Sequence, residues 1–433
     1  MFRAINGQQG GTTCPILGEA VHEMRRSLLL LCPLALFLVS LATPCWADLA
    51  EGLEAYEHHD YQTAVKELRP LAEESDSSAQ FLLGYMYAHG EGLLQDYAEA
   101  VRWFLQAASK GNPAAQFNLG VLYDEGLGVR QDYAESSHWF RQAAEQGYAA
   151  AQLNLALQYT QGHGVPRDYT EAAHWFRRVA DQGNLIAQIN LGHLYAQGLG
   201  VPQDYAEAIR WFRRAADQGN DRAQFNLALM YAQGHGVPQN YTKARQWYTL
   251  AADHGNESAQ VNLAVLYAKG LGGPQQYAEA ARRFRLAAQK GNSTAQAHLG
   301  VMYTKGHGVQ QDFREAEHWF RLAAAQENAT AQLNLGLLYA RGQGVLQDFQ
   351  EAERWFHVAA DQGEASAQTN LGLLYANGYG VPKDYVQAYS WFSRAGAQGH
   401  KDALELRTAV ASKMNPVQIA EAEKLTDEFR PRN

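Results

Sequence analysis

Cysteine is nearly absent from this 433-residue sequence, and its three copies, Cys14, Cys32 and Cys45, all precede residue 48. The rest of the chain therefore lacks the side chains for a disulfide framework or a cysteine-ligated zinc site. Basic patches are also missing, because the 36 Lys and Arg are dispersed among 45 Asp and Glu and the formal net charge is −9. We therefore expect no cofactor, no metal and no nucleic-acid partner, since phosphate binding needs clustered cations.

Two catalytic signatures are missing as well. The Ser-x-x-Lys nucleophile motif and the His-Glu-x-x-His zinc motif do not occur in the sequence. His58 and His59 lie between Glu57 and Asp60, but adjacent residues on a helix point in different directions, so we do not expect them to share a metal. The sequence thus predicts no catalytic residue.

A long apolar stretch occurs near the N-terminus. A basic start at 24–26 precedes the apolar segment 27–41, and Ala47 ends a stretch of signal-peptide length. This order is typical of a cleaved export signal, and the segment is short and proline-interrupted for a membrane span. We predict a signal peptide at 24–47, with an uncleaved N-terminal anchor as the alternative, and an upstream segment at 1–23 that translation starting at Met24 would omit.

A Trp-Phe pair recurs along the chain at intervals of 36 residues without insertion. The seven intact pairs begin at Trp103, Trp139, Trp175, Trp211, Trp319, Trp355 and Trp391, and two altered copies read Trp247-Tyr248 and Arg283-Phe284. A glutamine recurs at the same interval in nine copies, at Gln80, Gln116, Gln152, Gln188, Gln224, Gln260, Gln296, Gln332 and Gln368. Such self-similarity predicts a stack of nine structural units.

The first half of each repeat predicts a buried helix, here called helix A. A Leu lies three residues after the glutamine, a Gly or Ala four residues after it and a Tyr seven residues after it. These spacings place the three side chains on one helical face. The small residue allows another helix to approach closely, and further apolar positions indicate that helix A is covered on several sides.

The second half predicts a helix B after a Gly-x-Gly turn. No strand precedes the turn, so we interpret it as a helix C-cap and not as a phosphate loop. An Asp and a Glu three residues later form a capping box, in which the Asp accepts the N3 amide and the Glu reaches back to the N-cap amide. The seven N-cap residues are Asp96, Asp132, Asp168, Asp204, Asp312, Asp348 and Asp384.

The aromatic and histidine residues of helix B also have a structural interpretation. Ala172, Phe176 and Ala180 recur at helical spacing with Trp175 alongside, which indicates a core-facing side. His174 precedes that Trp, and its counterparts His138 and His318 do the same. Because other copies place Arg or Ser there, we expect these histidines to be solvated and not catalytic.

The segment AQFNLGVLYDEGLGVRQDYAESSHWFRQAAEQG resembles a Sel-1-like repeat, a relative of the tetratricopeptide repeat. The resemblance covers residues 80–403 and points to an exported bacterial member of the family. It implies an all-α fold, a right-handed α/α superhelical solenoid of nine 36-residue repeats with helical caps at both ends and A helices on the concave side. Residues 48–79 resemble a tetratricopeptide-like helix pair, at 50–58 and 61–74. We expect C-terminal capping helices within 404–433, a first helix covering 401–414 and a second opening at Asn415-Pro416 and ending near Phe429.

The array is not uniform. One repeat has Gln276 in place of the capping Asp and Arg283 in place of the Trp, and the next has His298 in place of a recurring Asn and Glu327 in place of a C-cap Gly. We predict residues 260–330 as a weak and bendable stretch, with tolerated sequence drift as the alternative.

A solenoid of this kind offers a long groove and no deep pocket. By analogy with tetratricopeptide repeats, positions one and five after each glutamine line the groove and position nine forms a polar rim that turns basic toward the C-terminus. The alternative is that these side chains pack against neighbouring A helices. The predicted partner-binding residues are Phe81, Tyr85, Phe117, Val121, Leu157, Ile189, His193, Phe225 and Leu229.

The function that follows is a non-enzymatic scaffold in the periplasm or at the cell surface of a Gram-negative-type bacterium, binding a protein or peptide partner. The alternative is a β-lactamase-like hydrolase or a peptidoglycan-binding protein, because a cysteine-rich branch of the family is linked to penicillin binding. That branch carries a Cys pair in each repeat, whereas this chain has no Cys after Cys45.

Overall fold

The computed structural model describes residues 45–428, which contain helices and no strand. The predicted all-α class is confirmed, whereas the upstream segment and nearly all of the predicted signal peptide lie outside the described residues. The helices are α1 Cys45–Glu57, α2 Tyr61–Glu73, α3 Ser77–His89, α4 Tyr97–Ser109, α5 Pro113–Glu125, α6 Tyr133–Glu145, α7 Ala149–Gln161, α8 Tyr169–Asp181, α9 Leu185–Gln197, α10 Tyr205–Ala216, α11 Asp221–Gln233, α12 Tyr241–Asp253, α13 Glu257–Lys269, α14 Tyr277–Gln289, α15 Ser293–Lys305, α16 Phe313–Ala324, α17 Ala329–Arg341, α18 Phe349–Asp361, α19 Ala365–Asn377, α20 Tyr385–Ala397, α21 Lys401–Ala411 and α22 Pro416–Glu428.

The chain divides into two compact units, of which the first ends at Ala215 and the second begins at Ala216. Within each unit the helices alternate between A and B, and successive helices pack on each other, as α3 does on α4 and α17 on α18. A continuous apolar core fills the start of the first unit, whereas the second contains a series of smaller clusters, about one per repeat. Such local cores are what a stack of repeats requires.

The turn between helix A and helix B is fixed at both ends by hydrogen bonds. Helix A ends at a left-handed Gly, such as Gly162, and helix B starts at an Asp whose carboxylate accepts the amides of the second and third helical residues, as Asp168 does. The amide of the N-cap residue donates to the carbonyl of the recurring Tyr of helix A, for example from Asp168 to Tyr159 at 3.0 Å. The predicted N-caps are therefore confirmed.

The reciprocal half of the predicted capping box is wrong. Because the N-cap amide already donates to the Tyr carbonyl, the Glu has no donor there to reach back to. Instead Glu99 pairs with Arg102 at 2.6 Å, and Glu351 pairs with Arg354 at 2.5 Å. Where an Arg follows three residues later, the glutamate therefore serves as its i,i+3 partner on the helix surface.

Helix B packs an aromatic ring, which is Phe in every repeat except the one with Tyr248, on the small residue of helix A in the same repeat. A Cβ at Gly120 would lie 2.5 Å from the Phe140 ring, and one at Gly336 would lie 2.6 Å from Phe356. The phenylalanines are fully buried, Phe176 and Phe320 with no exposed surface. The close approach that the sequence predicts is therefore the contact that closes each helix pair.

The second Gly of the turn connects one repeat to the preceding one. Gly164 has a φ of 70°, and a Cβ there would lie 1.8 Å from the Tyr133 carbonyl oxygen at the start of the previous helix B. A side chain would collide with backbone, which cannot yield as a flexible side chain can. The Gly-x-Gly turn is thus both a C-cap and an inter-repeat contact.

The terminal segments follow the predictions with shifts at their ends. Helices α1 and α2 occupy the segment of the predicted N-terminal pair, and α2 ends one residue early, at Glu73. Helix α21 ends at Ala411 and not at Met414, because Asn415 precedes a proline and is restricted to extended geometry. The Asn415 side chain accepts the Gln418 amide at 2.9 Å, which confirms the predicted N-cap of α22.

Candidate interaction surface

One face of helix A passes from buried to exposed along its length. The three positions are one, five and nine residues after the recurring glutamine, so they lie one above the other at i, i+4 and i+8. In α7 these are Leu153, Leu157 and Gln161, of which the first two are half-buried and the last is exposed. The rim position is exposed in all nine repeats, at His89, Glu125, Gln161, Gln197, Gln233, Lys269, Lys305, Arg341 and Asn377.

The structure separates the nine predicted partner-binding residues into two groups. Phe81, Tyr85, Phe117 and Ile189 are buried, with 1–8% of their surface exposed, and pack within the helix stack. The half-buried group consists of Val121, Leu157, His193, Phe225 and Leu229. Contact of these five with a partner stays a prediction, and the buried four can reach a partner only if neighbouring side chains move.

The recurring glutamines join neighbouring repeats, a role that the sequence pattern did not predict. The side-chain amide of each recurring glutamine donates to an Ala carbonyl eight residues earlier, at the end of the preceding helix B, over 2.9–3.4 Å in all nine repeats. In six repeats its oxygen is bonded to a side chain 30 residues later, as Gln332 is to Gln362 at 2.8 Å. We call these nine residues the glutamine ladder.

Tyrosine hydroxyls form a second connection between repeats. The recurring Tyr of helix A accepts from an Arg of the preceding helix B 18 residues earlier, as Tyr303 does from Arg285 at 2.9 Å and Tyr339 from Arg321 at 2.8 Å. The signal in the sequence was the invariance of Gln and Tyr across all copies, which packing of apolar surface alone does not require.

The Trp residues of helix B face the core and the histidines that precede three of them are exposed to solvent, as predicted. Trp103, Trp175, Trp211 and Trp391 are buried, and the other Trp of the intact pairs are half-buried. His138, His174 and His318 are exposed and lie edge-on to the Trp that follows each of them. No group of three His, Cys, Asp or Glu within residues 45–428 is arranged to hold a metal ion.

A buried polar cluster in the first unit carries serines but no catalytic arrangement. Ser137 Oγ donates to Gln158 Oε1 at 2.7 Å, and the Gln158 amide donates to Ser136 Oγ at 3.0 Å and to Asp124 at 3.2 Å. The serine hydroxyls contact amide, carboxylate and backbone carbonyl groups, among them the carbonyl of His163, and neither is hydrogen-bonded to a histidine or lysine side chain that could act as a base. The cluster replaces apolar contacts between two repeats.

Few ionisable groups have shifted pKa values, and each shift has a local cause. The hydrogen bond from Arg282, reinforced by Arg283, lowers the pKa of Glu279. Burial raises the pKa of Tyr248, which stands where other repeats have Phe, to about 12. Neither group lies on the exposed face of helix A, so these shifts do not indicate acid–base chemistry there.

Within the described range, no helix is long and apolar enough to cross a bilayer. A cavity of about 830 Å³ lies in the second unit, where α18, α20, α21 and α22 meet. Its walls include Arg394, Arg407, Asp361, Glu423 and Asp427, so both charge signs line it. The buried Gln368 in its wall has both ends of its amide hydrogen-bonded within the protein.

The comparisons identify the family. The model of the Sel1 repeat matches nine consecutive segments, 77–112, 113–148, 149–184, 185–220, 221–256, 257–292, 293–328, 329–364 and 365–400. Each segment begins three residues before the glutamine, at the start of helix A. The repeat boundaries therefore lie three residues before those of the range 80–403 given by the sequence resemblance. A comparison with curated proteins finds none that matches.

Two solved structures are similar over most of their length. A protective antigen present in uropathogenic Escherichia coli strains and displaying an SLR fold is 35% identical, with 95% of this chain and 94% of that chain covered and a TM-score of 0.60. A Sel1 repeat protein from Oxalobacter formigenes is 35% identical, with 80% of this chain and 99% of that chain covered and a TM-score of 0.60. The chain belongs to the Sel1 repeat family, whose solenoids typically mediate protein–protein interaction.

Proposed function

We propose that this protein is a non-enzymatic scaffold, exported to the bacterial envelope, that holds a segment of a partner protein along the helix-A faces. The observation that supports this is the graded face of helix A, which is half-buried and apolar in the middle in seven of the nine repeats and exposed and polar at the rim in all nine. Apolar surface beside polar groups suits a peptide segment, which needs both burial and orientation.

Two further observations favour export. The sequence has a signal-like segment at 24–47 and no Cys after Cys45, so passage into an oxidising compartment would not scramble disulfides. The similar Escherichia coli protein is described as a protective antigen, and an antigen that protects is accessible to the immune system.

Enzymatic activity has less support. Sel1 repeat folds are generally non-catalytic, and no histidine or lysine side chain is hydrogen-bonded to the serines of the Asp124 cluster. A carbohydrate platform would need exposed Trp, whereas those of the intact pairs are buried or half-buried. A nitrocefin assay should therefore show no hydrolysis above buffer, and turnover that scales with the protein concentration would favour the hydrolase instead.

Site-specific photo-crosslinking in the native envelope tests the scaffold. A benzoylphenylalanine replaces Leu157 on the helix-A face or, as the matched control, Leu105 on helix B, which is 37% exposed. We expect one protein to crosslink from position 157 and to be absent from position 105, and the purified pair to bind saturably. Crosslinks from position 105 alone, or none from either position, would contradict the proposal.

Location is tested separately by fractionating cells that express the full sequence. We expect the protein in the periplasmic or surface fraction, with Asp48 as its first residue by N-terminal sequencing. Protein that stays in the cytoplasm with an intact segment 24–47 would refute export without touching the binding role.

A further inference from the structure

Three exposed cations stand in register at the ends of consecutive A helices in the second unit. Lys269, Lys305 and Arg341 are the last residues of α13, α15 and α17, and each is nine residues after its ladder glutamine. We call them the basic row. In the first unit the same position carries His89, Glu125, Gln161 and Gln197, so the row is a property of one region and not of the repeat.

The charges of the basic row are not neutralised within the protein. None of the three cations forms an ion pair or a side-chain hydrogen bond with another described residue. Other basic residues of this unit do have partners: Arg354 pairs with Glu351 at 2.5 Å and Lys290 with Glu257 at 3.8 Å. At their opposite ends α15 and α17 begin with the uncharged residues Ser293 and Ala329, whereas α13 begins with Glu257, which Lys290 already pairs.

An apolar row runs beside the basic row. Val265, Val301 and Leu337 are half-buried and lie four residues before each cation on the same helical face. Four residues correspond to a rise of about 6 Å along the helix. Each of these A helices therefore presents an apolar side chain with a cation one turn further along.

The spacing between the helices restricts what can bind. Helices α15 and α17 are in direct contact, and packed helices have axes about 8–10 Å apart. An extended polyproline-like segment advances about 3.1 Å per residue, so every third residue recurs after about 9 Å on one side. Carboxylates at every third position of such a segment match the cations.

We propose that α13, α15 and α17 bind an extended acidic segment of a partner protein, with a carboxylate at every third residue on the basic row and apolar side chains against Val265, Val301 and Leu337. This inference rests on the proposed scaffold function and adds the chemistry of the partner. A protein segment is favoured over a nucleic acid for two reasons. A nucleic acid would place its phosphates against the apolar row, and the net charge of −9 on the chain repels a polyanion.

The test uses the full chain and three fluorescent nonapeptides. The first has three Asp-Val-Pro units, the second has Asn in place of Asp, and the third has the composition of the first with its three Asp contiguous. We expect the first to bind more tightly than the other two by fluorescence anisotropy, and its affinity to fall as salt rises from 0.05 to roughly 0.5 M, because exposed charges are screened. Equal affinity for the first and second peptides, or for the first and third, would overturn the inference.

Matched variants locate the site. The triple variant K269Q/K305Q/R341Q is compared with R314Q/K401Q/K424Q, which removes the same charge from exposed positions elsewhere in the unit. We expect the first to weaken binding roughly eightfold, about twofold for each exposed ion pair, and the second less than twofold. Each cation of the basic row also stabilises the C-terminus of its helix. If both triple variants unfold at similar temperatures, the weaker peptide binding is not a result of lower stability.

Two other outcomes would also overturn the inference, and they can be distinguished from a failure of the scaffold function. If duplex or single-stranded DNA binds more tightly than the first peptide and loses affinity in the same triple variant, the row is a nucleic-acid site. If a photo-crosslinker at Leu337 captures a partner through a segment without acidic residues, the scaffold stands and the acidic specificity falls. Absence of crosslinks from every helix A would instead remove the scaffold function itself.

Discussion

The repeats at 257–292 and 329–364 share a backbone but differ in how many of their polar contacts are made. In the second, Gln332 uses both ends of its amide and Asp348 accepts two amides at 2.9 and 3.0 Å. In the first, Gln260 donates over the same 3.4 Å as Gln332, but its oxygen has no partner, and Gln276 forms no side-chain cap. Yet both repeats have 13-residue A and B helices.

Apolar packing explains why the first repeat still folds. Phe284 is 1% exposed against Ala264, which is fully buried, and Phe356 is 1% exposed in the other repeat. Arg283, which replaces a Trp, keeps most of its side chain covered and pairs with Glu279 at 2.7 Å. The difference teaches that the apolar contacts form the helix pair, while the polar contacts add stability that a repeat can partly lose.

The largest effect should come from a contact that both repeats share. Gly308 packs on Tyr277 of the first repeat and Gly380 on Phe349 of the second, and a Cβ would lie 2.2 and 2.6 Å from their backbone carbons. Gly308→Ala and Gly380→Ala should each destabilise by about 2–4 kcal/mol, from overpacking plus left-handed strain. Urea unfolding measures this.

Two other glycines provide the control for that prediction. Gly291 and Gly363 have φ values of 96° and 88°, but nothing lies within 4 Å of a Cβ there. Gly291→Ala and Gly363→Ala should cost only about 1 kcal/mol each, the strain alone. If all four substitutions cost the same, the inter-repeat contact has no special weight.

The glutamine ladder should separate the two repeats directly. Gln332→Leu leaves the Ala324 carbonyl and the Gln362 amide without their partner and should cost about 1–3 kcal/mol. Gln260→Leu should cost clearly less, because it removes one hydrogen bond where Gln332→Leu removes two, together with an oxygen that has no partner. Equal losses in urea unfolding would contradict the difference between the repeats.

Changes to the helix caps should alter the stability of the two repeats in opposite directions. Gln276→Asp supplies the missing cap of α14 and should stabilise the protein, whereas Asp348→Ala removes the cap of α18; each effect should be about 0.5–2 kcal/mol. Amide exchange of the first turn of each helix reports the change locally. No gain in protection at 277–280 would show that the first repeat is limited elsewhere.

The smallest effect concerns pH. The Arg282 and Arg283 contacts lower the pKa of Glu279, so this carboxylate stabilises the fold above its unfolded pKa and the contribution is lost as pH falls through the lower, folded value. Glu279→Gln should therefore cost up to about 1 kcal/mol at pH 7 and nothing near pH 2. Glu351→Gln, which removes a Glu whose partner Arg354 is more exposed, should cost less than Glu279→Gln at pH 7.

The sequence was sufficient for the helices and insufficient for the contacts between repeats. Periodicity located helix A, and Asp168 and Gly162 located its turn, because these signals act within a few residues. Periodicity did not reveal that Gln332 joins two B helices, because its acceptor, the Ala324 carbonyl, and its donor, the Gln362 amide, lie 8 and 30 residues away. The reach of Glu99 toward the N-cap was wrong for the same reason, because a residue from helix A had already taken that amide.

The candidate surface shows the same limit. Spacing placed Phe81 and Leu157 on equivalent faces, but only the structure distinguishes a residue with 1% of its surface exposed from one that is half-buried. Whether residues 260–330 bend stays a prediction, which the exchange measurements on α14 also address.

The fixed offsets of the glutamine ladder have a consequence for how such a gene can change. Every ladder glutamine has a partner 8 residues before itself, and six also have one 30 residues after, so recombination that duplicates or deletes one full unit restores the same junctions at once. Loss of a single codon in a helix breaks them. Copy number, and with it the length of the binding face, can therefore vary among descendants while each interface is inherited unchanged.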